Sequence, residues 1–326
     1  MFHFAITEQF FRRSNSTLER LMPILTPSGV ILGLLLSYHV SWMKPAVTYL
    51  FAFLTLVSGM GVSVKDFFAV IKKPKPIFVF ALCTYILIPL VVWSISNIVF
   101  AGKNDVITGY ILLYCIPTAV VACIWCGIYS GNMALSLTIL VLATCLAPLF
   151  TPFSIKLLAH SDIVIDTVGM IRSLLFMVVI PSLIGVVINA LSKGHCNDHV
   201  TPVLKPFTKI ALLLVIVINT SQVAERLIAD ASWAYLPEAL AAFIFTTIGF
   251  LLSYGVSKLF KLEKTELVSV VYASGMRNIS AALVLAISFF PPAASIPVIS
   301  GIVLQQSICA IISHFLFGEK TERKRS

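Results

Sequence analysis

The chain has 326 residues, 59% of them hydrophobic and 11% charged, with a mean hydropathy of +0.99 and a formal net charge of +9. Soluble domains average roughly 45–50% apolar and 25% charged. A soluble fold of this length has nowhere to hide so much apolar surface, which excludes an ordinary soluble enzyme or binding module. The basic residues are scattered through short loops and are dense only at Lys320, Arg323, Lys324 and Arg325, so they point to membrane topology and not to a nucleic-acid partner.

The apolar residues fall into runs of about 20, the length that crosses a hydrocarbon core of about 30 Å. Such runs are too continuous for the alternating strands of a membrane barrel. Residues 1–20, with Arg12 and Arg13, read as a cytosolic amphipathic extension. The run after Arg20 has no small-x-small cleavage site and leads into further spans. Predicted spans then follow at 21–38, 46–63, 75–99, 106–127, 133–155, 168–190, 207–225, 235–257, 267–288 and 294–317, before a basic tail, 318–326. The breaks have physical causes: charge with two prolines in Lys72–Lys73–Pro74–Lys75–Pro76, and polar turns around Lys193–Gly194 and Lys261–Leu262–Glu263–Lys264. With both termini in the cytosol, 17 basic residues lie on the cytosolic side and 5 on the other, with Arg277 left inside a span. That bias obeys the positive-inside rule and requires an even number of spans, as expected for a multi-pass protein of a bacterial inner membrane.

Ten spans divide into two five-span halves, 21–159 and 160–317, hinged at His160–Ser161–Asp162. Five is odd, so the halves have inverted topology. The fourth span is interrupted at Ile116–Pro117–Thr118 and the ninth at Ser274–Gly275–Met276. Paired interruptions at corresponding places point to a transport site. The expected fold is therefore an all-α membrane protein of two inverted repeats with broken, crossing fourth and ninth helices.

Arg277 is the basic residue deep inside a predicted span, an expensive position that must face protein or a wet cavity. Its fixed charge and rigid donors suit a carboxylate, sulfate or phosphate. The competing reading is a structural arginine bonded to carbonyls that the broken helices free. Pro117 removes a backbone donor, Thr118 and Ser280 bring hydroxyls to the two breaks, and Asn278 brings an amide that needs partners in lipid surroundings. Together with Arg277 these form the expected solute-binding set. No Asp or Glu falls deep in a span, which weakens coupling to sodium or protons, although hydroxyls and carbonyls can also cage sodium. Cys115, Cys123 and Cys126 share one span and read either as soft-metal ligands or as small packing residues.

Four stretches together resemble the bile acid:sodium symporter family. They are Ser58–Gly59–Met60–Gly61 with Asp66–Phe67, Tyr85–Ile86–Leu87–Ile88–Pro89, Ser130–Gly131–Asn132, and Gly275–Met276–Arg277–Asn278. The resemblance implies ten helices forming a panel and a core, with spans four and nine crossing, and transport of organic anions with two sodium ions. Carried over residue by residue, it places the first ion site at Ala122, Cys123 and Thr144. The glutamate shared by both sites falls at Ala273, and the second site's glutamines fall at Thr84 and Arg277. The coordinating carboxylate is missing, and an arginine occupies the second site. Thr144 and Thr84 remain as residual sodium positions.

The expectation is a secondary transporter of a small or amphipathic organic anion, working by alternating access and without obligatory sodium, in which Arg277 stands in for a bound cation. Its partners would be the solute and membrane lipids, with no obligate protein partner and no cofactor beyond sodium itself. A sodium-coupled symporter, an arsenite-efflux protein and a non-transporting membrane sensor are the alternatives. Against arsenite efflux, Cys123 does not fall on that group's proline–cysteine–threonine pattern, where this chain has Ile116–Pro117–Thr118.

Overall fold

The computed structural model describes residues 2–63, 74–159, 166–222 and 235–317, with the single positions 65, 68, 70 and 224. The hinge His160–Ser161–Asp162, the basic tail, Asp66–Phe67 and Lys72–Lys73 lie outside the described residues. What is described is helical. In chain order the helices are α1 (Phe2–Leu35), α2 (Ser37–Val40), α3 (Ala46–Met60), α4 (Pro74–Val99), α5 (Asn104–Cys115), α6 (Val121–Ile128) and α7 (Met133–Leu158). There follow α8 (Thr167–Leu191), α9 (Cys196–Ser221), α10 (Leu236–Leu259), α11 (Lys264–Gly275), α12 (Ile279–Phe289) and α13 (Ser295–Phe317).

Six of these segments are long and apolar enough to cross a membrane, and a seventh is counted if α2 and α3, bent by 68°, form one span. Their outward faces are apolar too. Leu149, Phe153 and Leu157 recur every fourth residue along α7, and Phe176, Ile180, Leu183, Ile184, Val187 and Leu191 along α8, all exposed. Stripes of this kind face lipid in a multi-pass membrane protein. The structure departs from the predicted spans at three places. The span expected at 21–38 is the end of α1, whose 34 residues also take in the expected extension. At 1.5 Å per residue α1 measures about 51 Å, more than the hydrocarbon thickness. The spans expected at 106–127 and 267–288 are each two helices with an extended break between.

Three helices contain a wide turn with a common cause. Leu82–Leu87, Leu175–Val179 and Cys196–Val200 are π-helical, and Pro89, Pro181 and Pro202 follow two residues later. The residue just before each proline donates five residues back: Ile88 to Cys83, Ile180 to Leu175, and Thr201 to Cys196. Widening the turn by one residue relieves the clash of the proline ring with the preceding turn, but the next bond in that register has no N–H to make it.

The chain forms two compact units. The first comprises Met1–Asp66 and Ile171–Ala231, the second Phe67–Met170 and Ser232–Ser326. In the first, α3 packs closely on α8. A Cβ on Gly59 would fall on the Ser182 carbonyl, and one on Gly185 would fall on the Leu56 carbonyl, so only glycine lets the two backbones meet. Thr55 Oγ1 donates to Met177 O (3.1 Å) across the same contact. Asn189 Nδ2 donates to Val62 O (2.9 Å), fixing the end of α3.

In the second unit, α4, α5, α7, α10, α11, α12 and α13 surround a core with many buried polar groups. Tyr114 bonds Thr246 (3.0 Å), Tyr272 donates to Ser313 (2.7 Å), and Tyr110 donates to the Glu238 carbonyl. Gly275 ends α11 against the ring of Phe250, where a Cβ would collide with ring carbons. That close approach brings the break in the second half of the chain tightly onto α10.

Candidate functional site: a crossing of two broken helices

The second unit's centre is built by the two breaks. Helix α5 runs 12 residues to Cys115, after which Ile116 is extended (φ −73°, ψ 152°). Helix α11 likewise runs 12 residues to Gly275, after which Met276 is extended (φ −101°, ψ 114°). The two extended segments pair as a short antiparallel bridge centred on Thr118 and Arg277. Ala119 N donates to Met276 O (3.0 Å) and Asn278 N donates to Pro117 O (2.9 Å). Each break thus supplies what the other lacks, because a backbone group in an apolar interior must find a partner.

In this bridge Arg277 turns its own N–H and C=O away from Thr118, and both meet Gln305 on α13. Arg277 N donates to Gln305 Oε1 (2.9 Å), and Gln305 Nε2 donates to Arg277 O (3.1 Å). On the α5 side, the Cys115 carbonyl loses its helical donor because Ala119 is committed to Met276. Thr151 Oγ1 on α7 donates to it instead (2.8 Å). Thr118 Oγ1 adds a second donor to Met276 O (3.2 Å).

The guanidinium of Arg277 lies between two more freed carbonyls. Nη1 donates to Ile116 O (3.4 Å) in the break, and Nη2 donates to Thr84 O (3.4 Å) on the wide turn of α4. The Thr84 carbonyl is the one that Pro89 cannot serve, so the proline and the arginine solve one problem together. Arg277 is 1% exposed and its Nε has no partner. A fixed positive charge therefore sits in the break between α11 and α12 among neutral oxygens, in the manner of a desolvated cation.

The structure brings Arg277, Pro117, Thr118 and the Thr84 backbone to one point. Asn278 is next to them, but its side chain is occupied as the N-cap of α12, accepting from Ala281 N (3.3 Å). Ser280 follows in the first turn of α12, half-buried. Thr144 is buried on α7, and among the described residues no hydrogen bond joins it to Thr84 or to the crossing. The thiols are engaged in packing contacts: Ser136 Oγ donates to Cys123 Sγ (3.4 Å), and Cys126 Sγ bonds Ser269 Oγ (3.3 Å). No metal-holding group of three His, Cys, Asp or Glu occurs among the described residues.

Sequence reasoning missed Gln305 and Thr151. Gln305 and Gln306 were nonetheless a signal, two adjacent amides in an apolar run that needed partners somewhere. The connection after α6 was also underread. Ser130 takes a positive φ of 57°, Gly131 N returns to Cys126 O (2.8 Å), and Asn132 is thereby set against α11. There Asn132 N donates to Thr265 O (3.0 Å) and Asn132 O accepts from Ser269 (2.9 Å), tying the second half of one broken helix to the first half of the other.

Apolar helices broken at mid-length, with their extended segments paired around a buried charge, define a membrane transporter and not an enzyme. The chain belongs to the Sodium Bile acid symporter family, whose model matches residues 53–230. It is 35% identical to the uncharacterized protein YbaS of Bacillus subtilis (strain 168) over 90% of this chain and 96% of that protein. It is 23% identical to the uncharacterized sodium-dependent transporter YocS of the same organism, covering 82% of this chain and 81% of that one. To the probable sodium/metabolite cotransporter BASS1, chloroplastic, of Arabidopsis thaliana it is 26% identical, over 82% of this chain and 66% of that protein. Sodium enters the names of two of these relatives, YocS as a sodium-dependent transporter and BASS1 as a sodium/metabolite cotransporter, and no cofactor is implied. These likenesses lend no support to arsenite efflux or to a sensor.

Proposed function

We propose that this protein moves a small or amphipathic organic anion across a bacterial inner membrane by alternating access, with Arg277 serving as a built-in cation in place of a bound one. The observation that carries this reading is a fully buried guanidinium whose Nε has no partner; its 3.4 Å bonds to Ile116 O and Thr84 O are common to a structural arginine and to a stand-in cation. Carbonyls freed by helix breaks are the ligands a desolvated cation uses, and here a side chain holds them. The fixed charge raises the local potential for an anion, and Thr118, Asn278 and Ser280 at the two breaks, with the Pro117 carbonyl, define the surface the solute meets.

The expected architecture is ten spans in two inverted five-helix repeats, both termini cytosolic. Its support is the division of the chain: each half gives its first helices to the first unit and its later ones to the second. The equal 12-residue lead helices before the two breaks support the same symmetry.

Sodium coupling is the second reading, favoured by the names of YocS and BASS1. It would use Thr144 and Thr84 with backbone oxygens. Uptake of a labelled anion panel into proteoliposomes, with sodium present or replaced by potassium, separates the two. Sodium-independent flux that falls at least about tenfold in Arg277→Gln supports the built-in cation, a loss equal to the removal of one charge-assisted hydrogen bond. Flux that needs sodium in the wild type overturns it.

A further inference from the structure

No carboxylate forms an ion pair with Arg277 among the described residues. Among the described residues the recorded ion pair is Lys103–Glu238 (3.0 Å), at the first turn of α10. Two neutral carbonyls receive Nη1 and Nη2, which leaves a full positive charge in an apolar interior, where an unneutralised ion is costly. The Nε donor of the guanidinium is also buried with no partner.

Three more buried hydroxyls, on the two elements that lead into Arg277 or receive its Nη2, lack partners: Thr84 Oγ1, Tyr85 OH and Ser274 Oγ. Thr84 and Tyr85 lie on the wide turn of α4 whose carbonyl meets Nη2, and Tyr85 interacts electrostatically with the guanidinium. Ser274 is in the last turn of α11, three residues before Arg277. The half-helices α6 and α12 both begin at the crossing, so their positive ends add to the field. Four unpartnered groups able to donate beside one fixed positive charge, with no acidic residue paired to it among the described residues, suit an anion, whereas the fixed charge repels a cation.

We infer that a compact monovalent anion binds against Arg277 Nε, held by the hydroxyls of Thr84 and Ser274 with Tyr85 at its edge. The ligand is a halide ion or the carboxylate end of the transported solute, which share size, charge and acceptor chemistry. Burial of Arg277 to 1% exposure excludes a bulky headgroup at this point. Binding turns a charged centre into a neutral one, so the loaded protein carries one charge less through the membrane than the empty one. The inference rests on reading Arg277 as a fixed cation, and it adds the ligand that answers it.

The test is thermal unfolding of the purified full-length protein in detergent, titrated with chloride or bromide, with acetate, and with gluconate as the bulky reference, at constant sodium and ionic strength. A ligand of the native state raises the melting temperature in a saturable way. The expected result is saturable stabilisation by the compact anions over gluconate. Thr84→Val and Ser274→Ala should each weaken the apparent affinity about tenfold, and Arg277→Gln should abolish it. Thr84→Val keeps the backbone carbonyl that Nη2 uses, so it reports on the ligand even if Arg277→Gln fails to fold. Stabilisation by halides alone assigns a counter-ion, and stabilisation by acetate assigns the solute's carboxylate. Equal curves for all the anions, or a response unchanged in Thr84→Val, overturn the site. Failure of solute uptake with the anion response intact would sink the transport reading and leave this one standing.

Discussion

The two breaks at the centre of the second unit have lead helices of equal length, yet they are held open by different means. In the first, Pro117 deletes a donor and crowds the preceding turn, so the chain itself disfavours a continuous helix there. Its partners then add to what the proline has begun. In the second, Met276–Arg277–Asn278 contains no proline, and methionine and arginine are good helix formers. This segment is extended because Gln305, Thr118 and Ala119 take up its backbone groups. One break is specified twice, by its proline and by its surroundings, whereas the other has only Gly275 as a local weakening and rests mainly on its surroundings. The arginine stands in the second, where a change in neighbouring groups has most leverage on position.

The largest effect on stability is expected from removing the clamp. Gln305→Ala leaves Arg277 N with no acceptor and takes one of two donors from Arg277 O, which keeps Ile279 N at 2.9 Å. A buried unsatisfied N–H and one lost bond cost about 2–4 kcal/mol together. Unfolding in mixed micelles should show that loss, and Gln305→Glu, which still accepts from Arg277 N, should recover part of it. If Gln305→Ala is as stable as the parent, the second break has another source and the contrast fails.

Much of this was legible before any coordinates. The apolar runs located the helices, Pro117 marked one break, and Gly275 marked the other, with the intramembrane Arg277 two residues on. Three things were not legible, each for a physical reason. The start of α1 at Phe2 was hidden because a polar helix has no apolar run to announce it. The orientation of Arg277 was hidden because a residue in an extended break can turn to either side, and only the bridge to Thr118 decides it. The partners Gln305 and Thr151 were hidden because a polar residue in an apolar span declares that it needs a partner without naming which. Asn278 has a further use that the sequence did not announce: its amide oxygen caps the first turn of α12.

An intermediate effect is expected at the first break. Thr151→Val preserves shape while removing the hydroxyl that serves the Cys115 carbonyl at 2.8 Å. An under-served carbonyl in a buried position costs about 1–2 kcal/mol, toward the low end of the range because the oxygen has a second lone pair. Chemical unfolding of Thr151→Val beside Gln305→Ala ranks the two breaks directly. The reverse order would mean that the proline-marked break depends more on its partners than the arginine-bearing one does.

The smallest effect is expected from Pro117→Ala, although proline is the most conspicuous feature of the break. Alanine restores an N–H facing Leu113 O and relieves the ring clash, which favours closing the helix. Closing it would break Asn278 N to Pro117 O, Ala119 N to Met276 O, and Arg277 Nη1 to Ile116 O. A closed helix would re-pair the groups of the first break, but it would leave Asn278 N, Met276 O and Arg277 Nη1 of the second break without those partners, and buried groups left unsatisfied cost more than the added helical bond gives. The break should therefore persist, with stability within about 1 kcal/mol of the parent and solute uptake largely retained. A Pro117→Ala protein that loses uptake while becoming more stable would have closed its helix. In that case the proline alone holds the first break open, the bridge is its consequence, and both breaks are specified once.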